Sequence, residues 1–441
     1  MDVDVASVNK VKTNNSLNHP QCQFFVIRKK RLCRMTVRPG RNYCGEHEPE
    51  PKPEMSPDDT RIPCPYDPKH TCYASKLKKH LSICNARQLE QPDYIVHNIN
   101  VQQSSGSPRV LLSQVPEEKI RALIDKVNIL YDKYVKDTIT VIDEQPIHEV
   151  VLEEFNEERR AESSLRHLRQ VSSLLHLMEA EGLVQDNTCY VELGAGKGQF
   201  SYYAYKAWCG KNASRVLLVD RASLRHKLDN KLRDSAAATD SDAAGSGASG
   251  CCRIRADLAH LALDKVPEVL ESGSVVGFAK HLCGVATDYA LRCLMATGAA
   301  RRLRGAALAT CCHHRCDADS YVGTEYMQEL GINSEELNIM FGIVSWATCG
   351  DGRSRERRQR EGGAGEPGDA GDAANAGDIS NARFVCGAGR AAAGLRAKAL
   401  LDAGRARFLQ SGGLRTRLCR FVPPAVSPEN LCILAVRPDP L

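Results

Sequence analysis

Eight cysteines and histidines close to the start of the chain fall into two quartets with metal-ligand spacing. Cys22, Cys33, Cys44 and His47 are separated by ten, ten and two residues. Cys44-x-x-His47 is a tight chelating pair, and the surrounding segment is rich in Lys and Arg with few large apolar residues. Burial alone cannot hold such a segment together, whereas a tetrahedral zinc ion can. In the second quartet, Cys64 and His70 flank a proline-bearing knuckle, while His80 and Cys84 stand four apart and so project from one face of a helix. Cys72 competes as a ligand in the second quartet but sits directly beyond His70 and Thr71. The expectation is two structural zinc ions, each with four protein ligands.

A second kind of chemistry is written at Glu192-Leu193-Gly194-Ala195-Gly196-Lys197-Gly198. A short apolar run ends in an acid, three glycines follow at every second position, and an apolar helical pattern resumes at Phe200. Glycines suit a turn that needs positive φ and lets a ligand lie against bare backbone. Asp220 closes the next apolar run at the distance where doubly wound folds place a carboxylate on a ribose diol, and Asp257 closes the one after. Either Asp alone reads more readily as a helix N-cap, but two in register behind a Gly-x-Gly-x-Gly loop favour ligand binding. Further on, Lys280-His281-Leu282-Cys283-Gly284 leads to Asp288, and Cys311-Cys312-His313-His314-Arg315-Cys316 follows another apolar run.

The elements that must carry these groups can be placed by pattern. Strands are expected at Cys189 to Leu193, Arg215 to Val219, Cys252 to Ala256, Ser274 to Ala279, Gly305 to Ala309, Arg415 to Val422 and Leu431 to Val436. Ligands bind beyond the carboxyl ends of strands in open α/β sheets, so both polar clusters should face the glycine loop. Ahead of the sheet, Ile120, Leu123, Ile124 and Val127 mark one helix, Val150, Val151 and Phe155 a second, and Leu168 to Met178 a third that Ser163 or Ser164 can cap. His167 and Gln170 on that third helix read as a solvated face. The helix after Ala391 precedes the closing strands. The chain therefore divides into a leader 1–20 without order, a first finger 21–50, a second finger 60–87, a linker 88–116, a helical region 117–182, and a catalytic domain 183–441 interrupted by low-complexity insertions 235–250 and 350–378.

Composition narrows the classes. A chain of 441 residues with 42% hydrophobic content can bury a core in more than one domain, and a net charge of +5 permits an acidic partner without demanding one. The first residues are polar and lack a signal-type apolar segment, and no later apolar run reaches membrane-spanning length. The expectation is an intracellular chain, nuclear and/or cytoplasmic, with no membrane and no protein partner implied. Its 19 cysteines are then reduced thiols and metal ligands instead of disulfides.

Glu-x-Gly-x-Gly-x-Gly differs from the G-x-G-x-x-G of dinucleotide enzymes and resembles motif I of class I methyltransferases. Two different fingers in front of that loop, with Lys280-His281-Leu282-Cys283-Gly284-x-Ala286-Thr287-Asp288, Cys311-Cys312-His313-His314-x-Cys316, Tyr321-Val322-Gly323, Ser345-Trp346-Ala347-x-Cys349-Gly350 and Asp402-x-Gly404-Arg405, resemble the eukaryotic tRNA 2′-O-methyltransferase family that modifies position 4 of the acceptor stem. The resemblance runs from about residue 21 to the C-terminus. Ala318 departs from it, as does the insertion 350–378, and the Ala-rich segment before Asp402 leaves that helix open in register. The resemblance implies a Rossmann-like seven-stranded sheet, S-adenosylmethionine held by Glu192, Gly194, Gly196, Gly198, Asp220 and Asp257, and a tRNA substrate. Lys280, His281 and Asp288 become the candidates for catalysis: Lys280 orienting the hydroxyl or steadying an oxyanion, His281 accepting the proton. Phosphate contact or strand-end capping remains open for each. Cys283 occupies the region of the nucleophile in 5-methylcytosine enzymes, but without the adjacent proline, and reads as a packing thiol. Cys311 and Cys312 are adjacent on a strand and should point to opposite faces, so a shared metal is not expected there and a place in the substrate cleft is. A base methyltransferase and a non-catalytic zinc-finger RNA-binding or splicing factor are the competing functions.

Overall fold

The computed structural model describes residues 21–27, 31–48, 60–84, 86, 91–102, 111–209, 213–224, 228, 230–232, 250–349 and 387–438. The leader 1–20 and nearly all of both insertions lie outside them. The chain divides into two compact units, Met1–Gln91 and Pro92–Leu441.

The first unit is built from two hairpins. Strands β1 (Phe25–Val26) and β2 (Arg31–Leu32) pair antiparallel, as do β3 (Arg61–Cys64) and β4 (Asp67–Tyr73), and the helix Leu77–Ile83 follows. The buried cluster of the first finger is Cys22, Cys33, Val37 and Cys44, so three of its four members are the expected ligands. Arg61 joins the two hairpins: it donates to Thr71 Oγ1 at 2.8 Å and to Glu46 Oε1 at 2.5 Å.

In the second unit a single mixed sheet runs β5-β11-β12-β10-β9-β6-β7-β8. Its strands are β5 (Ile139–Val141), β6 (Thr188–Leu193), β7 (Arg215–Asp220), β8 (Cys251–Arg255), β9 (Ser274–Cys283), β10 (Leu303–Cys311), β11 (Arg415–Arg420) and β12 (Leu431–Val436). Leaving β5 aside and counting the other seven in chain order gives 3-2-1-4-5-7-6 across the sheet, with β12 antiparallel to both neighbours. The seven expected strands are all present. The eighth, β5, comes from the helical region and adds itself parallel to β11. Three residues give too short a pattern to read from sequence.

Alternation along the strands sorts the core into two layers. Val191, Leu193, Leu217 and Val219 face the helices Glu117–Tyr134, Val285–Met295, Ser334–Ile343 and Gly387–Ser411, while Tyr190, Val216 and Leu218 face Glu162–Ala180 and Gln199–Trp208. The third helix starts at Glu162 with Ala161 at the cap, so neither serine caps it; Ser164 Oγ accepts from Arg160 Nη1 instead. Part of the stretch expected as an extended linker is docked. Val96 N donates to His260 O at 2.8 Å, and Asn100 Nδ2 donates to Leu258 O and Leu261 O at 2.7 and 2.8 Å. Its backbone polar groups are satisfied by protein, which polar composition alone does not reveal.

Candidate active site and metal centres

At the first finger, Cys44 Sγ and Cys22 Sγ lie 3.3 and 3.6 Å from His47 Nδ1, and Cys33 Sγ lies 3.9 Å from Cys44 Sγ. At the second, His70 Nε2 and His80 Nε2 are 3.2 Å apart, Cys64 Sγ and Cys84 Sγ are 3.6 Å apart, and the cross distances are 3.2 and 3.4 Å. A tetrahedron with metal–sulfur bonds of 2.3 Å has edges of about 3.8 Å, and shorter ones where nitrogen replaces sulfur. Both quartets fit zinc as four-ligand closed sites, and Cys72 stays out of the second. It lies on β4 opposite Ile62.

The cofactor side of the cleft is built at the end of β6, where the strand order reverses. Gly194, Gly196 and Gly198 all take positive φ, at 74°, 52° and 77°. Gly194 and Ala195 donate to Val219 O, and Gly196 N donates to Asp220 Oδ2 at 2.7 Å. A side chain on Gly196 would enter open space, while one on Gly194 would sit 3.0 Å from Leu282 Cδ1. The loop is thus a bare backbone shelf pressed against the end of β9, which fits S-adenosylmethionine lying on it. Asp220 also receives Ala222 N at 2.7 Å, so its carboxylate ties the glycine loop to the turn after β7. Glu192 is 4% exposed and turned toward the helix start, where Ser201 N donates to it at 3.0 Å and Ser201 Oγ donates too. Burial pushes its carboxyl up to about 7 against those bonds. Asp257 caps the turn Leu258–His260 through Ala259 N at 3.0 Å, the N-cap alternative, with Arg221 at 3.7 Å.

On the other side, β9 runs four residues beyond its expected end, and it does so irregularly. Ala279 pairs with Leu308 and Leu282 with Thr310, so Lys280 and His281 together oppose the single residue Ala309. This is a β-bulge, which breaks the alternation and re-aims side chains. Both residues meet His167: Lys280 Nζ lies 3.1 Å from His167 Nδ1, and the rings of His167 and His281 sit edge to face at 6.0 Å. Burial pushes the Lys280 amine down to about 8, although Glu192 pulls it the other way, and burial pushes His281 down to about 4. Sequence reasoning missed His167, because nothing in the helix pattern says which part of its polar face meets the sheet. Gln170 on the same helix is 3% exposed and not solvated.

Asp288 requires a correction. It is fully buried, and its carboxylate takes both Arg405 Nε at 3.0 Å and Arg405 Nη2 at 2.7 Å. Arg405 Nη1 donates to Asp402, which also accepts from His313 Nε2 at 2.8 Å and Thr310 Oγ1 at 2.7 Å. Burial alone would raise the Asp402 carboxyl, but His313 and Arg405 hold it well below the carboxylate range. Asp288 therefore belongs to a buried ionic network that locks Gly387–Ser411 to β10 and to Val285–Met295, with both carboxylate oxygens engaged by Arg405 and none of its surface exposed. The same network fixes the register of the Ala-rich helix. Tyr321 Oη donates to Leu401 O at 2.8 Å, packed against Gly323 and Gly404, so those motif residues serve this core.

Comparison with known proteins agrees with this architecture. The family model "Methyltransferase TRM13" matches residues 169–436, "CCCH zinc finger in TRM13 protein" matches 20–48, and "U11-48K-like CHHC zinc finger" matches 61–85. The chain is similar to a tRNA:m(4)X modification enzyme TRM13 homolog of Mus musculus, 32% identical over 97% of each chain, and to that of Homo sapiens, 31% identical over 94% of each. A solved structure, the apo form of CalS11, a TDP-rhamnose 3′-O-methyltransferase, aligns at a TM-score of 0.26 and 12% identity over 38% of this chain and 80% of that one, too slight a likeness to bear on the fold. Catalytic unit and both fingers, matched in the same order over nearly the whole length, show that the chain belongs to the TRM13 methyltransferase family.

Proposed function

We propose that this chain transfers a methyl group to the ribose 2′-hydroxyl of the nucleotide at position 4 in a tRNA acceptor stem. The observation that carries the reading is the bulge of β9, which sets Lys280 against His167 and near Glu192 on the strand end that packs on Gly194, in a chain whose relatives bear the name tRNA:m(4)X modification enzyme. S-adenosylmethionine supplies an electrophilic methyl when bound. The chain's own residues have three tasks. Gly194, Gly196 and Gly198 offer backbone, with Asp220 toward the ribose diol, Asp257 toward the adenine, and Glu192 holding the helix start that faces the ligand. Lys280 handles the proton of the attacking hydroxyl. With its amine near 8, a fraction is neutral at neutral pH, and Lys280 is the better-matched acceptor while His281 orients the nucleotide. The groups facing Lys280 are His167 from the helix Glu162–Ala180, Glu192 from β6 and its neighbour His281. The hydroxyl must lie in line with the methyl, and water must be kept away.

The fingers hold one zinc each and grip tRNA backbone through their Lys and Arg residues, adding affinity that weakens with salt. We place the chain inside the cell, where tRNA is found, in nucleus and/or cytoplasm. Incubating tRNA with the protein and labelled cofactor, then mapping the RNase-resistant ribose, tests the reading. Methylation at nucleotide 4 is expected; a methylated base supports the base-methyltransferase alternative, and binding without transfer supports the non-catalytic one. Cys64→Ser should release about one zinc per chain and flatten the salt dependence of tRNA binding. Undiminished tRNA affinity in that variant overturns the role of the second finger.

A further inference from the structure

Beyond the fingers, three thiols meet at the mouth of the cleft. Cys283 ends β9, Cys311 ends β10, and Cys312 follows it; their sulfurs all lie within 4.8 Å of one another. Cys283 Sγ and Cys311 Sγ are 3.2 Å apart. The alternation of a strand would send Cys311 and Cys312 to opposite faces, but Cys312 adopts a left-handed conformation with φ at 50°, so the chain folds back and its thiol returns to the same side.

The backbone around this trio is tightly fixed. Gly284, also at positive φ, packs so close to the turn after β10 that a side chain on it would lie 2.6 Å from Arg315 Cβ and 2.9 Å from Arg315 O. Gly284 N donates to Cys311 O at 3.2 Å, and Arg315 N donates to Cys312 O at 2.8 Å. His313 is clamped by Asp402 behind the turn. Cys316 is excluded from the trio because its sulfur accepts from Arg405 Nη2 at 3.1 Å. A non-glycine residue held in the left-handed region is uncommon, and such positions concentrate at functional sites.

Three sulfurs converging from two strand ends match a soft divalent cation. We infer that Cys283, Cys311 and Cys312 form a third metal site, one that takes Zn²⁺ on three thiolates. The three thiol protons pass to buffer as the metal binds, and water fills the fourth position on the side where Cys283 is exposed. This differs from the closed four-ligand quartets of the fingers and leaves the metal open to a further ligand from the cleft.

Metal analysis of the full-length chain purified with reductant tests this. About three zinc ions per chain are expected, falling to about two in Cys283→Ser and in Cys312→Ser, with finger zinc as the internal reference. Should a variant misfold and lose all its metal, cobalt(II) titration of the unmodified protein decides instead. A third equivalent with strong thiolate-to-cobalt absorption supports the site, whereas saturation at about two overturns it. A zinc content of about two that Cys283→Ser does not change overturns it equally, as does a Cys283–Cys311 disulfide found by mass spectrometry in the reduced preparation.

Discussion

The β6–β7 side of the cleft and the β9–β10 side use strand ends in opposite ways. At β6 the chain leaves a regular strand, and everything that follows is backbone: three glycines at positive φ and two amide groups on Val219 O. At β9 and β10 the strands themselves become irregular, by a bulge at Lys280–His281 and a left-handed residue at Cys312, and what they deliver is side chains. A shelf for a ligand common to many enzymes needs little beyond open backbone. A site that handles one particular proton needs functional groups crowded on one face, which a two-residue repeat cannot supply without breaking.

The comparison is broken most severely by removing the amine proposed as proton acceptor. Lys280→Ala should slow single-turnover transfer by about 10² to 10⁴-fold while the affinity for S-adenosylhomocysteine stays within a few-fold. Lys280→Arg should do the same, because guanidinium stays protonated. In the unmodified enzyme the amine is charged below about 8 and cannot accept, so the rate should climb about tenfold per pH unit toward 8 and then level. A flat profile from 6 to 9 with full activity in Lys280→Arg removes Lys280 from that task.

Asp288→Ala strands a buried guanidinium and should cost about 3–5 kcal/mol of stability in chemical denaturation. If instead Asp288→Ala melts like the unmodified protein but has lost activity, the residue regains its place in catalysis.

On the backbone side the expected losses are smaller. Asp220→Ala should weaken S-adenosylhomocysteine binding in calorimetry by about 1.5–3 kcal/mol, the worth of charge-assisted hydrogen bonds, in a protein that remains folded. Asp220→Asn sharpens the point: it keeps one acceptor oxygen but loses the charge and one of the two backbone bonds to Gly196 and Ala222, so recovery of affinity would show that the negative charge is not what holds the ligand.

The smallest effect should come from His167→Gln. An amide oxygen can still accept from Lys280, so the rate should fall only about tenfold or less, and the rising limb of the pH profile should move. An unchanged limb with an unchanged rate would make the pairing incidental.

The same contrast governs what sequence reveals. Glu192 through Gly198 and the seven strands are legible because glycine spacing and alternation are local properties of consecutive residues. The finger quartets are legible for the same reason, since coordination demands specific residues at short spacing. The pairing of Asp288 with Arg405 was not, because it joins residues 117 positions apart and a buried carboxylate looks like any other in a string of letters. His167 escaped notice because its neighbour is chosen by how a helix lies on the sheet. Cys312 was misread through the very rule that served the strands, alternation, applied one residue past the point where the strand ends.

The locking of the helix Gly387–Ser411 by Arg405 carries a consequence for how this chain can vary. A side chain on Gly394 would lie 2.5 Å from Ala347 N, so the residues on either side of the insertion are held close together by their own packing. The segment between them spans a gap whose ends are fixed, and closing such a gap costs about 0.6 kcal/mol for each doubling of its length. Lengthening it is thermodynamically cheap because both anchors are secured elsewhere. Chain growth at this position can therefore accumulate without touching the fold, and differences in length here carry little information about differences in activity.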